Sequence, residues 1–322
     1  GIGYTGQAAD FVKPLDGIRN ELNGSGIEVL YARGTDILES DVDAEPGFAE
    51  AVDVAGRADV AVVFVGTHRE IEREGRDRTF LNLQPIQQDL VRRVAAANPN
   101  TAVVMVNAGP LSLTGGQPSM EPPPAVLMMF MAGEEGGNAV ADILFGDYNP
   151  AGRLPYTVYY SHEDVPGWEE YDISKGYTYM YFDGQPEWPF GHGLSYTTFE
   201  YGDLETSTSS LPGDGEITVS VDVRNTGDVA GDEVVQLYVR DLQPAVIRPR
   251  KQLRGFERIS LNPGETRTVT LSLSAEDLAY YDVDQDAFVV QPGPFEVMAG
   301  SSSENVRGTA TIQVTTSGRW DP

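Results

Sequence analysis

A chain of 322 residues with 40% hydrophobic content can bury a sizeable core, and its length suits two domains. It contains no apolar run long enough to span a bilayer, which argues against a membrane protein. Acidic residues outnumber basic ones 49 to 22, for a net charge of −27, so a nucleic-acid partner, which needs basic patches on its protein, is disfavoured. The excess carboxylates read either as a solvated surface that keeps the protein soluble or as adaptation to high salt, where the Debye length shrinks to about 3 Å at 1 M. The absence of cysteine removes disulfides, thiol nucleophiles and thiolate metal sites together. The chain opens on Gly1 without a basic or apolar leader, so its visible start is not expected to be a translation start.

In chain order, Ile27 to Tyr31, Val60 to Val65, Ala102 to Asn107 and Ala125 to Phe130 are short runs rich in Val, Met and Ala that predict buried strands. Between them, Gly47 to Arg57, Gln84 to Ala97 and Glu135 to Phe145 place apolar residues such as Ile86, Leu90, Val94 and Ala95 at helical spacing. Strands alternating with helices predict an α/β domain with a mainly parallel sheet, assigned to residues 1–200 with a connector. From about Tyr201 the period becomes two, with Ile217, Val219, Val221 and Val223 on one side of a strand and Thr218, Ser220 and Asp222 on the other. The alternation recurs at Val235 to Val239, Val269 to Leu273 and Phe295 to Ala299, punctuated by Asn225-Thr-Gly227 and Asn262-Pro-Gly264. Residues 201–322 therefore predict a β-sandwich of immunoglobulin or fibronectin type III architecture, with Ser207 to Gly215 leading into it.

Four stretches in this order resemble one family. Glu72-Arg-Glu-Gly-Arg-Asp-Arg78 with Leu81-Asn-Leu83 and Gln87, Gly136-Gly137 through Phe145-Gly-Asp-Tyr-Asn-Pro-Ala-Gly-Arg-Leu-Pro155, Pro189-Phe-Gly-His-Gly-Leu-Ser-Tyr-Thr-Thr-Phe199, and Leu253 to Arg258 with Pro263 to Thr266 are similar to segments of glycoside hydrolase family 3. The resemblance implies a six-stranded α/β sandwich followed by a fibronectin type III-like domain. It also implies a (β/α)8 barrel, carrying the aspartate nucleophile and most sugar contacts, that this sequence does not contain. Family members open the sandwich with an apolar strand that would precede Thr5-Gly6, so the sheet is expected to be short of its first strand unless another polypeptide supplies it. The expected partner is thus a barrel-bearing N-terminal chain or fragment, together with an oligosaccharide or aryl glycoside substrate; a higher homo-oligomer stays open.

Retaining glycosidases use two carboxyl groups about 5 to 5.5 Å apart, one attacking as the ionised nucleophile and one protonating the leaving group. By the resemblance, this chain supplies the second, with Glu74 the first choice and Glu72 the alternative. Both follow a strand at its carboxyl end, where α/β ligand sites form. Arg73, Arg76 and Arg78 complicate that role, since a guanidinium favours the ionised form of a carboxyl beside it. Without the resemblance, the cluster reads as a solvated loop laced with ion pairs. His68 and Arg73 are candidates for sugar contact, and Asp77, Arg78 and His192 for structural support.

No histidine pair has the i, i+4 spacing of a helical zinc site, and no G-x-G-x-x-G or G-x-x-x-x-G-K-[ST] loop follows a strand, so neither a metal nor another cofactor is expected. Asp282, Asp284 and Asp286 alternate like a calcium loop, but Ala287 and Gly293 stand where Gly and Glu are required, so a hairpin turn is expected. Tyr177, Tyr179, Tyr181 and Trp188 read as packing of the connector in preference to a sugar platform. The stretch from Glu134 to Tyr196 leans towards the β-xylosidase branch of the family over the β-glucosidase branch. A non-catalytic binding or structural module derived from such an enzyme is the competing reading.

Overall fold

The structure, a computed structural model, describes residues 10–37, 44–115, 123–167 and 169–322. They form two compact units, one within Gly1–Tyr148 together with Val158–Asp164, the other Asn149–Thr157 together with Val165–Pro322.

The first unit contains α1 (Pro14–Glu21), α2 (Ala44–Arg57), β1 (Ala61–Gly66), α3 (Pro85–Ala97), β2 (Thr101–Val106), β3 (Ala125–Met128), α4 (Gly136–Phe145) and the short β4 (Val158–Tyr159). The strands β1, β2 and β3 pair in that order and in parallel, as the alternation of strands and helices predicts. Val103, Val104 and Met105 are fully buried at the centre of this sheet. Helix α3 begins at Pro85, whose fixed φ and missing N–H suit a first helical position, and it buries Gln87, Leu90, Val91 and Val94 along one stripe. Asn98, just past its end, donates to Ala55 O (3.0 Å) and Ala58 O (2.9 Å) and accepts from Asn100 N (2.9 Å). One buried amide thereby joins the end of α2 to the start of β2. Helix α1, which periodicity alone did not single out, starts at Pro14 and crosses α4 where Gly17 meets Gly137, so closely that a Cβ on either would collide with backbone of the other segment.

The strand expected over Ile27 to Tyr31 does not form. That segment runs without ladder pairing, and Ile27 and Tyr31 are 60% and 57% exposed. A parallel strand gains its stability from neighbours, and β1 is one of the two edge strands of the sheet among the described residues. Among the described residues the parallel sheet of this unit holds β1, β2 and β3. The Thr5-Gly6 stretch lies outside the described residues.

The second unit carries α5 (Thr178–Tyr181) and β5 (Pro186–Trp188), then β6 (Phe199–Thr206), β7 (Ser210–Leu211), β8 (Glu216–Asn225), β9 (Gly231–Asp241), β10 (Gln252–Leu261), β11 (Thr266–Ser274), β12 (Tyr280–Asp282), β13 (Ala287–Val290), β14 (Gly293–Gly300), β15 (Val306–Val314) and β16 (Gly318–Trp320). One sheet has the order β10-β9-β14-β15-β7, a second β11-β8-β6, and a small third β12-β13-β16. Ile217 and Val219 are buried in a core with Leu237, Val239, Val297 and Leu273, and Val221 and Val223 in one with Val235, Ile259 and Leu261, so the two-residue period marks the inner face as expected. Asn225, fully buried, accepts from Thr197 Oγ1 (2.6 Å) and Gly227 N (3.1 Å) and donates to Val229 O (2.8 Å) and Leu261 O (3.0 Å). Its side chain leaves no polar atom unpaired, which is the condition for placing an amide in a core. The Asp282–Asp286 stretch forms the turn between β12 and β13, with Asp284 N donating to Asp282 Oδ1 (2.9 Å).

The Pro189–Phe199 segment is packed as a girder of this unit. Phe190 stacks on Tyr179 with ring centroids 4.3 Å apart, and its carbonyl accepts from Ser303 N (2.9 Å). Gly191 adopts φ +79° against the Gln236 amide, and Gly193 lies on the Gly152 carbonyl, so a Cβ at either position would collide. Ser195 Oγ donates to Asn149 Oδ1 (2.9 Å), which also accepts from Tyr196 N (2.8 Å), while Asn149 Nδ2 donates to Ala230 O (2.9 Å). A Gly193→Ala substitution is expected to destabilise this unit by more than about 1 kcal/mol, because backbone must shift to admit the methyl. Gly293→Ala, where an added Cβ meets nothing, is expected to stay within about 0.5 kcal/mol. Urea-unfolding midpoints of the two variants, taken side by side, check this.

Candidate active-site hairpin

The loop leaving β1 folds in three steps. Thr67, still buried, continues the strand through a bond from its N–H to Val106 O (2.8 Å). A turn follows, in which Ile71 N (2.7 Å) and Glu72 N (3.0 Å) both donate to His68 O, and Ile71 is buried as its anchor. Arg73 and Arg76 then exchange reciprocal backbone hydrogen bonds of 3.0 and 2.9 Å, leaving Glu74 and Gly75 at the tip of a two-residue hairpin. Gly75 takes φ +72°, a conformation that the third residue of such a turn requires and that a side chain would resist.

The two candidate glutamates have opposite surroundings. The Glu72 carboxylate pairs with Arg78 Nε at 2.6 Å, and these side chains are 13% and 9% exposed. Its other oxygen accepts from the Thr67 hydroxyl and from Ala108 N (3.2 Å). Arg78 also donates to Leu81 O (3.3 Å) and Pro110 O. Glu72 and Arg78 thus tie together the end of β1, the return of the hairpin and the loop after β2. Glu74 is exposed at the tip and makes no ion pair among the described residues. The remaining candidates divide similarly. His68 is exposed and accepts from Glu70 N through Nδ1 (3.3 Å), Arg73 is exposed with Glu70 at 3.9 Å, and Asp77 is exposed.

Gln87, quoted above only as part of a motif, has a definite task. Its buried amide accepts from Gly66 N (2.7 Å) and donates to Gly66 O (2.9 Å), closing the outer edge of β1 just before the hairpin leaves it. A cavity of about 190 Å³ adjoins this point, lined by Ile37, Phe64, Val65, Gly66, Thr67 and Val106. Its lining is apolar and includes none of the candidate residues. His192 belongs to the second unit, where Leu154 N donates to its carbonyl (2.9 Å) and its own N–H to Pro189 O (3.1 Å). Tyr179 packs between Phe190 and Tyr238 and accepts from Leu253 N (3.1 Å), and Tyr177 donates to Glu170 O (2.8 Å). The contacts that set Glu72 apart from Glu74, from Thr67 and the Ala108 backbone, had no signal in the sequence.

A parallel α/β unit with a charged hairpin at the carboxyl end of a strand, followed by a fibronectin-like sandwich, is an architecture shared with glycoside hydrolases. Residues 2–196 match the glycosyl hydrolase family 3 C-terminal domain and residues 233–303 the fibronectin type III-like domain. The chain belongs to glycoside hydrolase family 3. Thermostable beta-glucosidase B of Acetivibrio thermocellus is 37% identical over 334 residues, covering 97% of this chain and 44% of that protein. A beta-xylosidase of Formosa agariphila is 39% identical over 307 residues, covering 94% of this chain and 41% of that protein. The solved structure of a β-glucosidase from Erythrobacter marinus superposes with a TM-score of 0.85 at 35% identity, over 97% of this chain and 44% of that one. The chain spans less than half the length of these relatives and corresponds to their C-terminal part.

Two predictions follow from this geometry. Arg78→Ala leaves the Glu72 carboxylate desolvated and unpaired, a defect worth about 3 kcal/mol for a buried pair. Limited trypsinolysis is expected to show cleavage after Arg73 and Arg76 accelerating in that variant while the rest of the chain resists. Burial, and to a lesser degree the Arg153 charge, lowers the pKa of His192 in the folded state. The unfolded chain therefore binds a proton that the folded chain refuses. The resulting stabilisation is complete above the ordinary imidazole value of about 6.5 and is lost as pH falls towards the lowered one. Thermal midpoints measured from pH 7.5 down to 5 are expected to drop less steeply in His192→Gln than in the parent.

Proposed function

We propose that this chain supplies the general acid/base of a retaining, exo-acting β-glycosidase, and that Glu74 is the group. Support comes from its place: a carboxyl at the apex of a rigid hairpin, projected from the carboxyl end of β1, with no arginine of its own. Glu72 is the poorer donor, because an Arg78 guanidinium and two hydrogen-bond donors hold its oxygens. A proton donor needs a free oxygen within hydrogen-bond reach of the glycosidic oxygen.

The nucleophile, in this reading, is a carboxylate on a barrel carried by another chain or another part of the same protein, and the sugar is gripped there. Docking of the barrel surrounds Glu74 and brings the second carboxyl to the separation of about 5 to 5.5 Å that retention requires. In the first half-reaction Glu74 gives its proton to the departing oxygen as the nucleophile takes the anomeric carbon. In the second, it takes a proton from the water that releases the sugar. Terminal β-linked glucose or xylose is the substrate, in keeping with relatives named as β-glucosidases and β-xylosidases. Residues 1–200 then form the inherited sandwich domain with its connector, and residues 201–322 a module supporting it.

The test is leaving-group dependence. With the barrel present, Glu74→Gln is expected to lower kcat/KM on unactivated disaccharides by about 10²- to 10⁴-fold, the usual share of general acid catalysis. The loss on aryl glycosides whose leaving group departs unassisted should be far smaller, and azide should restore turnover in Glu74→Ala by giving a β-glycosyl azide. Equal losses on both substrate types would remove Glu74 from the role. Full activity in Glu74→Gln would favour a non-catalytic module, the reading suggested by the exposure of Glu74 in this chain alone.

A further inference from the structure

The geometry points to Gln87 as a positioning residue for proton transfer: by holding both polar atoms of Gly66, its side chain fixes the direction in which the hairpin that carries Glu74 leaves β1. This rests on Glu74 being the proton donor. Gln87 stands in the first turn of α3, is 2% exposed, and lies 21 residues from the glycine it holds. Its Oε1 accepts from Gly66 N (2.7 Å), and its Nε2 donates to Gly66 O (2.9 Å) and, at 3.4 Å, to Ile37 O. The amide is thus engaged with backbone at both its oxygen and its nitrogen.

Gly66 is the joint at which the loop would swing. Glycine has the widest backbone freedom of any residue, and this one, buried at the last position of β1, takes φ +154°. On the β2 side the backbone is stopped by Val106, whose carbonyl accepts from Thr67 N (2.8 Å) and would lie 1.9 Å from a Cβ on Gly66. On the open side of β1 the adjoining cavity has an apolar lining, and the Gln87 amide is the group that meets the Gly66 N–H and carbonyl. Removing that amide leaves two buried backbone groups without partners, a penalty that rotation about Gly66 relieves. The rotation is passed on through Thr67, whose hydroxyl bonds Glu72, to the hairpin beyond. A general acid acts only within hydrogen-bond reach of the oxygen it protonates, and a misplacement of about 1 Å costs about a hundredfold in rate.

The experiment uses the assembled enzyme, barrel included, and two substrates with the same terminal sugar: an unactivated disaccharide and an aryl glycoside whose leaving group departs unassisted. Rates are taken per folded site, counted by covalent trapping of the nucleophile with a fluorinated glycoside. Gln87→Met keeps the length of the side chain and removes its hydrogen bonds. It is expected to lower kcat on the disaccharide by about ten- to a hundredfold with KM little changed, and kcat on the aryl glycoside by far less. Gln87→Glu, held uncharged by burial, can still accept from Gly66 N and donate to Gly66 O, and is expected to show the same pattern at reduced size. In a Glu74→Gln background, Gln87→Met should add less than about twofold, because no donor is left to position. Equal losses on both substrates, or full additivity with Glu74→Gln, make Gln87 a purely structural residue and overturn the proposal, as does full activity in Gln87→Met. Where Gln87→Met does not fold, Gln87→Glu decides by the same criteria, and failure of both to fold assigns Gln87 to stability alone and overturns the proposal too. If Glu74→Gln itself shows no dependence on the leaving group, the Glu74 reading fails first; if it shows one and Gln87→Met does not, this inference alone fails.

Discussion

The buried pair between Glu72 and Arg78 is the constraint on which the hairpin depends. Both side chains are almost wholly removed from water, so each charge needs the other, and the cost of separating them holds the loop in one conformation. The additional bonds from Thr67 and Ala108 to Glu72, and from Arg78 to two carbonyls, satisfy the remaining polar atoms, without which burial would be unfavourable. Everything beyond, including the Arg73–Arg76 neck and the Glu74 tip, is built on that base. Two glutamates one residue apart are thereby separated in role: one is consumed in holding the loop, and the other is left available.

This separation sets the limit of what the residues alone disclose. The E-x-E-G-x-D-R pattern was legible, and so was its place after a strand, because apolar runs and their period depend on local composition. The different surroundings of Glu72 and Glu74 were not, since they turn on contacts made with Thr67, Ala108 and Pro110, up to 36 positions away. The β-sandwich was the most legible part, because a half-buried antiparallel strand writes its orientation into every second residue. Ile27 to Tyr31 shows the converse. Its composition suits a strand, but strand formation is a property of neighbours, and no ladder forms there.

The stretch Pro189–Phe199 is packed into the second unit. Pro189–Phe199 is held against Asn149–Pro155 and β9 by the glycines that permit close approach, by Asn149, and by the Thr197–Asn225 bond. The near-buried Arg153–Glu233 pair lies in the same region, and burial, followed by the Glu233 charge, pushes the Tyr201 hydroxyl well above its ordinary range. Such a network is costly to disturb at any one member.

A physical argument links the open side of β1 to the hairpin that leaves it. In a parallel sheet each interior strand is bonded on both sides, and β1 is bonded to β2 on one side only among the described residues. At Gly66, the last residue of the strand, the Gln87 amide takes over the missing neighbour's role by both accepting and donating. This closure comes at the one position where slack would be transmitted into Thr67 and Glu72. Upstream, along Val62 and Phe64, no described strand does the same. The end of β1 that aims Glu74 is therefore secured from within the chain, whereas the body of the strand still offers an edge to a further strand. Pairing of a further strand with the body of β1 therefore leaves the geometry at Gly66 and Thr67 unaltered.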